Sequence, residues 1–232
     1  MTTANSSRVF DARHVQLARA AFAAIAAIMV TFSQDHSAGV GLAVFGGFAL
    51  ATGIVHVLAA WLVQPTGRRW PSIILAALTI AAGMVASVGD LRTSTGFFAI
   101  VITWAFTTGL VEAIDGFVAR RGPRALKPGD VAPWSDGTPA ASVSPLAARE
   151  SIVVGIAGVA LAVALLLVPA EYALPYTVEE ANASYTLTGI TIAVGLFGVY
   201  AAIVAVYLGI AGFSPRRTPV DAANRPESED QS

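Results

Sequence analysis

Residues 39–63 read GVGLAVFGGFALATGIVHVLAAWLV, and within that stretch His56 is the only ionisable side chain. A hydrocarbon layer about 30 Å thick is crossed by roughly 20 mainly apolar residues in an α-helix. The apolar residues run around the whole helix rather than along one stripe, which suits a helix surrounded by lipid or by other helices. Working outward, comparable runs give spans at about 16–33, 39–63, 71–88, 96–118, 150–168 and 185–212. The sequence therefore predicts an all-α polytopic membrane bundle of six transmembrane helices, arranged as three consecutive helical hairpins in a lipid bilayer.

Composition points the same way. Hydrophobic residues make up 55% of the 232, and charged residues only 12%, about half the quarter that soluble domains carry. A net charge of −1 offers no basic field to hold nucleic acid. Cysteine is absent, and the three histidines stand apart at 14, 36 and 56. Together these exclude disulfides and thiolate catalysis and leave no metal site or cofactor expected. No small-residue cleavage pattern precedes the first apolar run, which is read as a retained helix.

Lys and Arg stay preferentially on the cytoplasmic side of a membrane. On the six-span reading, Arg92 alone lies outside, and the other 13 of the 14 cations lie on one side, Arg19 at the start of the first span included. Both termini are then cytoplasmic. Residues 1–14 form a cytoplasmic N-terminus and 15–121 hold the first two hairpins. Residues 122–148, rich in Gly, Pro, Ala and Ser, read as a flexible cytoplasmic linker. Residues 149–213 hold the third hairpin, and 214–232 form a polar, disordered tail.

The second and fourth spans align without a gap at an offset of 56 residues: Phe48-Ala49-Leu50-Ala51-Thr52-Gly53-Ile54-Val55-His56 stands over Trp104-Ala105-Phe106-Thr107-Thr108-Gly109-Leu110-Val111-Glu112. A looser third copy lies around Gly198, with Ala201 at the polar position. Each unit is one hairpin starting and ending in the cytoplasm, so successive units keep the same orientation. The repeated small pairs Ala49/Gly53 and Ala105/Gly109, with Gly198, are expected to let helix backbones pack closely, since helix association in lipid relies on such contacts.

His56, Glu112 and Asp115 form a candidate intramembrane polar site. An ionisable residue inside a span costs about 2.5–3.5 kcal/mol on insertion scales, so it faces protein or water and has a partner. Glu112 and Asp115, three apart, share one helix face. Two readings stand: a protonatable site in which His56 tunes Glu112, or a buried hydrogen bond that fixes the bundle, with Asp115 at the interface near Arg120. No G-x-S-x-G, H-E-x-x-H, phosphate-binding loop or dinucleotide fingerprint occurs, so no catalytic residue is assigned and no enzyme is expected.

Arg19 opening an Ala-rich first helix, Gly46-Gly47-Phe48-Ala49-x-x-x-Gly53 in the second, Arg68-Arg69-Trp70, and a second hairpin ending Trp104-Ala105-x-x-x-Gly109-x-x-Glu112 together resemble the HdeD-like family of small bacterial membrane proteins. The likeness covers roughly 15–120 and 149–212, and departs in the linker at 122–148 and the outer loop near 170–184. It implies three consecutive hairpins, a plasma-membrane location and a link to acid resistance, with no catalytic residue to carry over. The reading is a non-enzymatic envelope protein acting in acid or envelope stress, or as an accessory in a homo-oligomer or larger membrane complex. The alternative is a proton or small-solute transporter or channel using His56 and Glu112.

Overall fold

The computed structural model describes residues 12–64, 69–125, 145–178 and 183–214. Six helices appear in order: α1 (Ala12–Phe32), α2 (Ala38–Leu58), α3 (Trp70–Ala86), α4 (Ser94–Ala125), α5 (Pro145–Leu167) and α6 (Gly189–Phe213). A π-helical stretch, Ala59–Val63, extends α2. Five of these are long and apolar enough to cross a membrane, while α3, at 17 residues, is apolar but shorter. The chain is thus a helical membrane protein. Its exposed side chains agree: Ile28, Phe32, Leu166, Leu167, Val206 and Ile210 are each more than half exposed, a surface that lipid accepts and water does not.

Local chemistry sets the helix starts. Ser37 caps α2, its Oγ accepting from the Val40 N–H at 3.4 Å, which serves an amide that has no partner within the helix. Pro71 occupies the first turn of α3, where its missing N–H is no loss. Thr188 caps α6 in the same way as Ser37, through Thr191 N–H.

The bundle is helical as expected, and the start of the last span needs one correction. Between α5 and α6 the chain forms two antiparallel strands, β1 (Ala173–Val178) and β2 (Ala183–Thr188), with Tyr176 opposite Tyr185. Residues 185–188, read from the sequence as the start of the last span, are strand. Tyr185, Thr186 and Thr188 favour a pleated surface, and helix begins only after the Thr188 cap. The junction is tight: the Gly189 N–H donates to Tyr172 O at 2.8 Å. A Cβ at Gly189 would lie 2.3 Å from the Pro169 carbonyl oxygen, so only glycine fits there.

Each helix packs on the next, and α6 returns to α1, so the six form a closed ring with α2, α4 and α6 meeting inside. The most extensive interfaces are α4–α5, α1–α6 and α2–α3. They lie between the hairpins read from the sequence rather than within them. Small residues stand at each of these three seams. A Cβ added at Gly53 would meet Ile80 Cγ1 of α3 at 2.5 Å, at Gly109 the Gly155 carbonyl oxygen of α5 at 2.8 Å, and at Gly198 the Val30 Cγ1 of α1 at 2.6 Å. Ala49 and Ala105 are fully buried beside them.

Inside the ring, aromatic side chains from α2, α4 and α6 interlock edge to face. Phe45 meets Trp104 with ring centroids 5.1 Å apart, Phe48 meets Phe197 at 5.7 Å, and Trp104 meets Tyr200 at 5.9 Å. That orientation sets the positive edge of one ring against the negative face of another. Residues 1–11, 126–144 and 215–232 lie outside the described residues, and with them most of the segments read as N-terminus, linker and tail. At the margins of the expected linker the helices run on, α4 to Ala125 and α5 from Pro145.

Candidate functional site

Next to the aromatic core, the inner helices turn polar. On α2, Phe48, Thr52 and His56 follow one another at four-residue steps, and on α4 so do Trp104, Thr108 and Glu112. A four-residue step keeps side chains on one helix face, so both columns run in parallel down the interior. Tyr200 and Val204 of α6 form the third column, with Arg19 of α1 and Leu75 and Thr79 of α3 between them. All eleven side chains line a cavity of about 20 Å³.

The centre of the site is an ion pair. Arg19 Nη2 donates to Glu112 Oε1 at 2.5 Å, with the arginine side chain 18% and the glutamate 8% exposed. The pair ties α1 to α4, which are not neighbours in the ring, and so reaches across the interior. His56, itself buried, faces the same cavity. Two further bonds stiffen the walls. Trp104 Nε1 donates to Thr79 Oγ1 at 3.3 Å, and Thr108 Oγ1 donates to the Trp104 carbonyl at 2.6 Å. A second polar contact, from Gln16 Nε2 to Glu150 Oε2, joins α1 to α5.

Of the residues singled out in the sequence, the structure brings His56 and Glu112 to one cavity, whereas Asp115 is partly buried one turn further along and does not line it. Ala49, Gly53, Ala105, Gly109 and Gly198 lie at helix seams. Sequence reasoning missed Arg19 as a site residue, placing it among the cations that mark the cytoplasmic side, and missed Thr52, Thr79, Thr108 and Tyr200. Thr52 and Thr108 were visible as an aligned pair in the 56-residue repeat. The third repeat contributes Tyr200 and Val204 to the cavity rather than Ala201, which is fully buried among neighbouring helices.

The Trp104–Thr79 bond permits a direct check. Thr79→Val keeps shape and removes the acceptor, stranding a buried indole N–H. The expected loss is about 1–3 kcal/mol, read as a lowered unfolding midpoint of the purified protein in detergent.

The cluster can hold a charge pair away from water and place a histidine beside it. No family model matches the chain, and no curated protein or solved structure matches it significantly.

Proposed function

We propose that this chain is a non-enzymatic plasma-membrane protein of six spans, α3 being the short one, with both termini cytoplasmic. On this reading it acts in acid or envelope stress, as its resemblance to HdeD-like proteins implies, alone or within a homo-oligomer or larger membrane complex. The observation that carries the proposal is the gathering of Arg19, Glu112 and His56 around one small cavity in a largely apolar bundle. Ionisable groups at such depth are costly to keep and are a functional hypothesis by default. The cavity's about 20 Å³ is far below the 300–1,000 Å³ of typical small-molecule sites, which favours a response to protons over recognition of a solute.

Glu112→Gln tests the reading, because it keeps size and hydrogen bonding but removes the ionisable group. Gln keeps a hydrogen bond to Arg19 but not the countercharge, so cells are compared at matched abundance, and the expected result is several-fold lower survival after an acid challenge. Unchanged survival at equal abundance ends the idea of a functional centre and leaves a structural ion pair.

A second reading, proton translocation, is favoured by one feature: His56 and Glu112 face the same polar cavity. Proteoliposomes enclosing a pH-sensitive dye separate the two. The stress-protein reading expects no proton flux, whereas translocation expects a flux that Glu112→Gln abolishes.

A further inference from the structure

We propose that the cavity is a binding site for a single water molecule, held between Arg19 Nε and Thr52 Oγ1. Both atoms are closed off from solvent and have no hydrogen-bond partner among the described residues, and both residues line the cavity. Thr52 itself is only 5% exposed. Buried donors and acceptors are almost always satisfied, by protein or by ordered water, and within a bilayer core no bulk water stands ready to serve them.

Size and chemistry select the ligand. One water needs at least about 10–15 Å³ of probe-sized space and two to four polar partners, and the cavity has about 20 Å³. Cavities that stay dry are lined by apolar groups, while this one presents Arg19, Thr52, His56, Thr108 and Glu112. A cation would face the Arg19 guanidinium. An anion would compete with Glu112, which already neutralises that guanidinium through its Nη2. A neutral molecule that accepts from Arg19 Nε–H and exchanges a hydrogen bond with the Thr52 hydroxyl satisfies both atoms without adding charge. Water is the one that fits.

Radiolytic hydroxyl labelling of the full chain in lipid nanodiscs reads this site directly, because radicals formed from a bound water oxidise the side chains beside it. Phe48 lines the cavity, whereas Phe45 and Phe197 are buried nearby but do not. Three phenylalanines share one intrinsic reactivity, so the comparison is internal. The expected result is several-fold faster oxidation at Phe48 than at Phe45 or Phe197. Thr52→Val should bring Phe48 down to their level, and Thr52→Ser, which keeps the hydroxyl, should leave it fast. Equal rates at all three positions in the natural protein overturn the proposal. So does a Phe48 rate unchanged in Thr52→Val, or lost in Thr52→Ser. The readout needs neither acid survival nor flux, so either proposal can fail without the other.

Discussion

Glu112→Ala is expected to destabilise the bundle by about 3–5 kcal/mol, the usual cost of leaving one member of a buried pair without its countercharge. Here the stranded group is the Arg19 guanidinium, whose Nη2 lies 2.5 Å from Glu112 Oε1. Arg19→Ala should cost a similar amount by stranding the carboxylate. The informative variant is the double one. Replacing both with apolar residues of similar size, Arg19→Met with Glu112→Leu, removes the desolvation of two charges as well as their attraction, and should recover most of the loss. Reversible unfolding of the purified protein in mixed micelles measures all three. If the double variant is as stable as the natural chain yet cells carrying it lose acid survival, the charges serve function and not folding. If Glu112→Ala alone leaves stability unchanged, the pair does not hold the bundle together.

Gly155→Val is expected to leave little correctly folded protein. A Cβ at this position would lie 2.5 Å from the Ala113 amide nitrogen and 2.6 Å from the Gly109 carbonyl oxygen. Overpacking usually costs about 1–3 kcal/mol because neighbouring side chains give way. Here the obstacle is the backbone of α4, which can yield only if the whole α4–α5 seam opens. That seam is among the most extensive in the bundle, and close approach over small residues is what drives helix association in lipid. Gly195→Val on α6 is the control, since nothing lies within 4 Å of a Cβ there; it should change stability by no more than about 0.5 kcal/mol, as surface substitutions do. The fraction of monodisperse protein after detergent extraction reports both. Equal yields for the two variants would show that the α4–α5 seam tolerates separation.

The helices were legible because a long apolar run has one stable form in hydrocarbon, and 39–63 is such a run. The 56-residue repeat sets Phe48 over Trp104, Thr52 over Thr108 and His56 over Glu112, and all six line the cavity, but only His56 and Glu112 were read from the sequence as a site. Three things were not legible. Arg19 sits near the edge of an apolar run, where a cation ordinarily marks the cytoplasmic boundary, and its partner is 93 residues away; nothing local announces the pairing. The strand pair carried an alternating signal in Leu174, Tyr176 and Val178, but Pro175 argued against a strand, and the pairing depends on contacts between two separate segments. Which helices share the largest seams was hidden too, because adjacency in the chain suggests hairpin partners, whereas Gly53, Gly109 and Gly198 fit the next unit around the ring.

The seam between α1 and α6 has a consequence for biosynthesis. Of the six described helices these are the first and the last to be made, yet Val30 of α1 fits against Gly198 and Leu17 against Gly212. The leading helix must therefore enter the bilayer long before its principal mate exists, carrying Arg19 with no carboxylate opposite until α4 arrives. In the interval the long arginine side chain can reach toward the headgroups. The ring closes only once α6 has been made, so a chain stopped before α6 keeps an unclosed flank on α1.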